Sequence, residues 1–468
     1  MSEGRIAGLD LHLPLSGTRP ARSLEDAIRA LVSTGALPVG SRLPAARALA
    51  ADLGIARNTV ADVYARLTAE GWLEARVGAG TWVAAAPGVA AAPTASPVAP
   101  PPFDLRGGLV DASDFEYAAW SAHARQALAE LPGTAFSYPP AAGVPALRQG
   151  LAGYLARTRG VTVGADDVVV GTGFGDLLSL VCRVLRDRGA RRIAVEEYGH
   201  ERHRRIIAAA GLEAVPLPVD GDGAVVDGLE GLDAAAVVLT PAHQFPTGVP
   251  LSAARRRDVV DWARRADALV LEDDYDGEFR YDRRSIGALQ ALAPDRVVYL
   301  GTASKALAPG VGLAWAVVPP RLRADVLVQR ELGGASAAAI HQHVLARLID
   351  SFAYDRAVRR RRAAFRSRRE LLERLLAQRV PEASLQGLAA GLQCLVRLPA
   401  GLAEAEVVDA ARRRGVAVQG LAEFRLGTGA QAVPEGIVVG YGAPSPTRVA
   451  RALELLVEAV AELVAEQP

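Results

Sequence analysis

The chain has 468 residues, half of them apolar and 22% charged, with a net charge near +1. That length suits two or three domains of ordinary globular composition, and the balanced charge excludes bulk attraction to a polyanion, so any nucleic-acid contact must come from a local patch. Two isolated cysteines, Cys182 and Cys394, exclude a disulfide framework; no apolar run reaches the length of a membrane span, and Met1-Ser-Glu-Gly-Arg5 lacks a signal-peptide pattern, so a cytoplasmic protein is expected.

Ser23 reads as the N-cap of a first helix with Leu24, Ala27, Ile28, Leu31 and Val32 on one face. After a Gly35–Gly40 turn, Arg42-Leu-Pro-Ala-Ala-Arg47 leads into a second helix that ends at Gly54. Arg57-Asn58-Thr59 opens a third, carrying Val60, Val63, Tyr64 and Leu67, and Trp72–Val83 forms two short strands around Gly78-Ala-Gly80. Helix, helix, turn, helix, hairpin is the order of a winged helix-turn-helix. In that arrangement Arg57, Asn58 and Thr59 begin the recognition helix, Arg42 and Arg47 meet phosphates, and Gly78–Gly80 follow the minor groove. Residues 1–84 hold 9 Arg against 8 acidic residues, so topology rather than charge points to DNA. Residues 84–102, uncharged and rich in Ala and Pro, read as a partly stiff linker after a module of residues 1–83.

The body, residues 103–468, alternates apolar strands with amphipathic helices. Strands are expected at Asp167–Val170, Ile193–Val195, Ala235–Leu239, Ala268–Leu271 and Val297–Leu300, and helices at Leu177–Leu185 and Ala253–Ala266. This is an α/β domain around a mostly parallel sheet, whose ligands bind beyond the strand C-termini. We expect a large part over about 103–325, then a long Arg-rich helix over about 338–378 leading into a small α+β part. The Arg359–Arg362 run with Arg366, Arg368 and Arg369 reads as a solvated helix. No metal site is expected, since His341-Gln-His343 is not helical ligand spacing.

Chemistry concentrates in loops after these strands. Lys305 is the only lysine, the other 52 basic residues being arginine. A lysine amine, unlike a guanidinium, becomes nucleophilic when desolvated. It follows the Val297–Leu300 strand in a small-residue turn with the hydroxyls of Thr302 and Ser304. Gly171-Thr-Gly173-Phe174-Gly175 opens a helix after a strand, where backbone N–H groups can hold a phosphate. Glu272-Asp273-Asp274-Tyr275 offers a carboxylate for a protonated pyridine nitrogen and a phenol for a ring oxygen. His243-Gln244 adds an imidazole and an amide. Aldehyde to amine, pyridinium to carboxylate and phosphate to helix N-terminus together match pyridoxal 5'-phosphate.

Residues about 135–450 resemble fold-type I, class I/II aminotransferases, with Tyr138-Pro-Pro-Ala-Ala-Gly143 similar to that family's motif for reaching the neighbouring subunit's cofactor phosphate. The first 83 residues resemble the GntR winged-helix family through Arg42–Arg47, Arg57–Thr59 and Gly78–Thr81. Joined by a long linker, the two resemble MocR-type regulators, as do His243–Gly248 and Glu272–Tyr281. The resemblance implies an internal aldimine at Lys305, with Asp273 on the pyridine nitrogen and Tyr275 on the 3-oxygen. It also implies an aromatic residue on the cofactor ring, His200 or else Tyr198, and a head-to-tail homodimer that binds paired half-sites of double-stranded DNA and answers to pyridoxal phosphate or a small amine. Departures are Gly312 where an Arg commonly holds phosphate, Phe174-Gly175 for Ser-Gln in the phosphate turn, and Val438 where aminotransferases grip the substrate carboxylate. Arg202 and Arg425 are candidate replacements for that grip. A working aminotransferase tethered to DNA, and a regulator that has lost its cofactor, are the alternatives.

Overall fold

The computed structural model describes residues 3–6, 9–14, 20–76, 80–84, 101–281, 286–334, 336–426 and 435–467. The chain divides into two units, Met1–Ala99 and Pro100–Pro468.

In the first unit an antiparallel hairpin, β1 (Glu3–Ile6) and β2 (Leu9–Pro14), precedes α1 (Pro20–Ser33), α2 (Ala46–Leu53), α3 (Arg57–Ala69) and a second hairpin, β3 (Leu73–Arg76) and β4 (Gly80–Val83). Leu24 and Ile28 of α1, Leu49 and Leu53 of α2, and Val60, Val63 and Leu67 of α3 form its core, closed by Leu73 and Val83. The period-3.6 stripes seen in the sequence are therefore the buried faces. α2 stops at Gly54, which takes the left-handed conformation (φ +66°) that glycine adopts without penalty. Ser23 is not a cap: α1 begins three residues earlier at Pro20, whose fixed φ and missing N–H suit a first turn. The β1–β2 hairpin was not anticipated, although Leu9, Leu11 and Leu13 alternate as strand residues do.

The second unit starts with β5 (Phe103–Asp104), α4 (Tyr117–Glu130) and α5 (Pro145–Arg159). Then come β6 (Val168–Gly171), α6 (Phe174–Asp187), β7 (Arg192–Glu196), α7 (Glu201–Ala209) and β8 (Glu213–Leu217). A small hairpin, β9 (Val219–Asp220) and β10 (Gly223–Ala224), precedes β11 (Ala236–Leu239), α8 (Ala253–Arg265), β12 (Leu269–Asp273), β13 (Val297–Thr302) and β14 (Ala314–Val317). Seven strands form one sheet in the order β6-β14-β13-β12-β11-β7-β8, with only β14 antiparallel to its neighbours. The strands other than the edge strand β8 are buried on both faces, as uninterrupted Val/Leu/Ala runs require.

The rest comprises α9 (Pro320–Gly333), α10 (Ala339–Asp350), α11 (Ala353–Arg379), β15 (Ser384–Gln386), β16 (Gln393–Arg397), α12 (Glu404–Arg413), β17 (Val416–Ala417), β18 (Gln419–Gly420), β19 (Gly436–Gly440) and α13 (Val449–Ala465). The strands β15-β16-β19-β18 form an antiparallel sheet. Two expectations need correction. The long Arg-rich helix is two helices, α10 and α11, broken where Phe352 takes φ +56°. Its arginines are not uniformly solvated: Arg361, Arg368 and Arg369 are buried, and the first two donate to backbone carbonyls. In addition, β5 pairs in parallel with β17, so the start of the body packs with the small part rather than the large one. No helix among the described residues is long and apolar enough to cross a membrane.

Candidate ligand cavity and nucleic-acid face

The loops beyond the C-terminal ends of β6, β7, β11, β12 and β13 enclose a cavity of about 710 Å³. Lys305, Asp273, Tyr275, Thr302, Ser304, Gly173, Phe174, Gly175, His200 and Arg202 all line it. Residues from widely separated segments thus converge where an open α/β sheet places its ligands.

Strand alternation explains which acidic residue faces this cavity. Along β12, Glu272 and Asp274 share one face, and Asp273 points the other way. Glu272 accepts from the Leu289 and Gln290 amides at 2.7 and 2.9 Å. Asp274 is held bidentately by the buried Arg159 at 2.6 and 2.9 Å and accepts from Tyr299. Both are consumed by the fold. Asp273 is buried and has no side-chain hydrogen-bond partner among the described residues. Burial, and then the neighbouring Asp274 charge, push its carboxyl well above the usual range.

Lys305 Nζ donates to the Gly108 carbonyl at 2.6 Å. Burial lowers its pKa, opposed by Asp273 and then Asp276, so the neutral amine is more accessible than in an ordinary lysine. Thr302 Oγ1 bonds Ser304 Oγ at 2.9 Å, leaving a pair of hydroxyls beside the amine. Opposite them α6 begins. A side chain at Gly173 would meet nothing within 4 Å, so its backbone is open to the cavity. A Cβ at Gly175 would come within 3.2 Å of an Arg202 terminal nitrogen, which places that guanidinium over the first turn of α6. Asp176 in the same turn is neutralised by the buried Arg330 at 2.9 Å. Gly312 takes φ +63° to end a 3-10 turn, which explains glycine where the resemblance expects arginine.

The far wall is aromatic and neutral. His200 stacks on Phe245 with ring centroids 4.6 Å apart and planes 3° from parallel. Burial lowers His200 to about 4 and His203 to about 3, so both imidazoles are uncharged at neutral pH. Val438 is fully buried in a cluster with Tyr198, Phe245, Leu395, Leu421 and Phe424. By resemblance this is where aminotransferases grip carboxylate; here an apolar side chain packs with the lining residues Tyr198 and Phe245 and does not itself line the cavity.

Several sequence candidates fall elsewhere. Gln244 does not line the cavity. It is buried, donates to the Tyr198 and Phe245 carbonyls at 2.8 and 2.6 Å, and accepts from Thr247, so its bonding capacity is spent on the loop. Arg425 lies outside the cavity too, its Nε 3.7 Å from Glu197. Tyr138 is fully exposed and touches no part of its own chain's cavity. Three contributors went unnoticed in the sequence. Glu196, held near pKa 7 by burial, lines the cavity beside Thr240. Gln393 donates to Tyr275 Oη at 2.6 Å. Gly108 crosses the cavity as the acceptor for Lys305. A polar residue inside an apolar strand (Gln393) and a paired glycine (Gly107-Gly108) were the available signals.

In the first unit, Arg57 and Asn58 are exposed at the start of α3, with Thr59 half-buried behind them. Arg42 and Arg47 are exposed on the preceding segment. The Arg42 guanidinium lies 6.0 Å from the Trp82 ring centroid, and Gly80 (φ +107°) leaves it room, since a Cβ there would sit 3.1 Å from Arg42 Nε. Gly78 lies outside the described residues.

Residues 20–83 match the gntR family of bacterial regulatory proteins, and residues 111–453 match the aminotransferase class I and II family. The chain is 34% identical to the HTH-type pyridoxine biosynthesis transcriptional regulator PdxR of Corynebacterium glutamicum, covering 92% of this chain and 95% of that one. The chain belongs to the MocR-type transcriptional regulators. It is 30% identical to the probable rhizopine catabolism regulatory protein MocR of Rhizobium meliloti, covering 91% and 90%. Among solved structures, an archaeal alanine:glyoxylate aminotransferase superposes with a TM-score of 0.70 at 25% identity, covering 77% of this regulator and 91% of that enzyme. The shared fold stops short of the winged helix.

Proposed function

We propose that this regulator binds pyridoxal 5'-phosphate in its cavity, and that cofactor occupancy, or exchange with an amino compound, alters the affinity of the winged helix for operator DNA. The observation that carries this reading is Asp273, a buried carboxyl without a hydrogen-bond partner among the described residues, facing a cavity that also contains the chain's only lysine. Because Asp273 lines the cavity, a ligand N–H there can supply the hydrogen bond that no side chain of the described residues gives it.

The other donors fit the same molecule. When bound, the cofactor supplies an aldehyde that exchanges between amines and an electron-withdrawing ring. Lys305, whose pKa burial lowers, takes the aldehyde end. Asp273 holds the pyridine N–H and Tyr275 serves the 3-oxygen. The open backbone at Gly173–Gly175, with the Thr302 and Ser304 hydroxyls, holds the phosphate at a helix N-terminus. Arg202 supplies the cation that Gly312 does not, a use that its place over Gly175 favours above gripping an effector carboxylate. The neutral His200 covers a ring face. Tyr138, exposed on its own chain, suits the cavity of a second copy in a head-to-tail homodimer, whose two winged helices read paired half-sites in the cytoplasm. The apolar Val438, in place of a carboxylate-gripping arginine, favours sensing over turnover of α-amino acids.

Titrating operator affinity with the cofactor, alongside its visible absorbance on the protein, tests the reading. Wild type is expected to gain the band and change affinity, and Lys305→Arg to do neither. Operator affinity indifferent to the cofactor and to a panel of amines sinks the regulatory reading, and steady transamination of amino acids replaces it with a tethered enzyme.

A further inference from the structure

The segment that follows the linker is also the segment that Lys305 holds. From β5 the chain runs through Leu105 to Asp111 as a strap, of which Gly108 lines the cavity. It is pinned to the small part on one side: Leu105 donates to the Ala417 carbonyl at 2.8 Å and accepts from Gly440 at 2.7 Å, and Asp111 donates to the Gly442 carbonyl at 2.8 Å. Behind it there is no slack, because a Cβ at Gly440 would lie 2.1 Å from the Arg106 carbonyl and one at Gly442 2.3 Å from that of Leu109. On the cavity side, Gly108 takes φ +76° and turns its carbonyl to Lys305 Nζ, while its N–H donates to Gln393 Oε1 at 3.2 Å. Arg361 of α11 closes the loop, donating to the Asp111 carbonyl and to those of Ala306 and Leu307, the two residues after the lysine.

We propose that this strap is the transmission element: the Gly108 carbonyl holds the Lys305 amine when that amine is free and loses it when an aldehyde takes the amine. A primary amine has hydrogens to donate to Gly108. Condensation with an aldehyde consumes two amine hydrogens, which leave with the carbonyl oxygen as water, so the nitrogen keeps no hydrogen when neutral and one when protonated. When neutral, that nitrogen can no longer donate to Gly108, and when protonated it offers one hydrogen in place of the free amine's two or three, so the strap's hold on the lysine is lost or weakened, and the change passes along continuous backbone from Gly108 to Phe103 and the linker. Arg361 keeps the lysine loop and the strap's far end in register, so the movement is directed toward β5.

The inference rests on the cofactor reading, and two measurements separate their failures. In the full-length protein, amide hydrogen exchange at Gly107–Val110 is compared without and with pyridoxal phosphate, with Lys305→Arg as control. Loss of one buried hydrogen bond is expected to speed exchange on the order of tenfold in wild type only. If the absorbance band forms and exchange in the strap stays unchanged, the transmission proposal is overturned while cofactor binding stands. The second measurement pushes the strap from behind. Gly442→Ala is expected to leave the absorbance band in place and to hold operator affinity at one value with or without cofactor. A full wild-type response in a folded Gly442→Ala protein overturns the proposal as well. Should that variant fail to fold, the exchange experiment on wild type still decides the matter.

Discussion

The winged helix and the cavity place their working side chains in opposite environments. In the first unit, Arg47, Arg57 and Asn58 stand in solvent, and the apolar core beneath them is complete without them. In the second, Asp273, Glu196 and Lys305 are drawn out of water, and two of the three are carboxyls whose protonation burial distorts. Function and stability are separable in the first region and opposed in the second. Substitutions should therefore split cleanly between the two.

The largest expected effect is at Asp273. Asp273→Asn removes the acceptor for a pyridine N–H and should weaken cofactor binding on the order of a hundredfold, as loss of a charge-assisted hydrogen bond does. The same change should stabilise the cofactor-free protein at neutral pH, because asparagine carries no charge to desolvate. The sign follows from the raised pKa. A group whose folded pKa exceeds its unfolded value contributes stability that is fully present below the unfolded pKa, about 3.9 for Asp, and lost as pH rises through the folded one. Asparagine has no such loss, so the gain must grow from about pH 4 upward. Thermal melts of both proteins across pH check this, and an Asn variant less stable at neutral pH breaks the contrast.

On the DNA side, Arg57→Ala is expected to weaken operator binding about tenfold and to reduce the salt dependence of binding by about one phosphate contact. Because Arg57 is exposed, stability should change by no more than about 0.5 kcal/mol. Fluorescence anisotropy at several salt concentrations, with a melt of the same sample, reads both. A large drop in melting temperature would put Arg57 in the scaffold instead.

This difference also governs what could be read from sequence. Core periodicity announced α1 and α3 of the winged helix, and uninterrupted apolar runs announced five of the seven sheet strands, because burial imposes its own pattern; the edge strand β8 and the short β14 were missed. Lys305 and Asp273 were singled out because each follows an apolar run with chemistry that the run lacks, and the structure brings both into one cavity. Gln244 misled: an amide after a strand looks like a ligand, and only three-dimensional bonding to the Tyr198 and Phe245 carbonyls reveals a brace. The break at Phe352 was hidden because a left-handed phenylalanine carries no sequence mark. The strap was hidden for another reason: its partners lie some 200 or more residues downstream, at Lys305, Gln393 and Arg361.

A smaller effect distinguishes the roles open to Arg202. If its guanidinium answers the cofactor phosphate, Arg202→Gln should weaken pyridoxal phosphate binding by about fivefold, the worth of one partly exposed charged contact. Pyridoxal, which lacks the phosphate, should bind both proteins equally. An unchanged affinity for pyridoxal phosphate, joined to a lost response to carboxylate-bearing amines, would return Arg202 to the effector.

The smallest effect concerns the acidity of Lys305 itself, and the composition of the chain makes it measurable. With one lysine, reductive methylation followed by peptide mass analysis reports a single side-chain amine. Burial lowers the Lys305 pKa, and Asp273 and Asp276 oppose that fall. Methylation of the cofactor-free protein should therefore rise with pH at a midpoint below the ordinary lysine value of about 10.4. Asp273→Asn removes one of the two charges that hold the proton on, so its midpoint should lie lower still. The same carboxyl that destabilises the empty fold thus keeps the lysine from being more reactive than it is. A midpoint that does not move in Asp273→Asn would mean the carboxyl is neutral in the empty cavity and exerts no charge on Lys305.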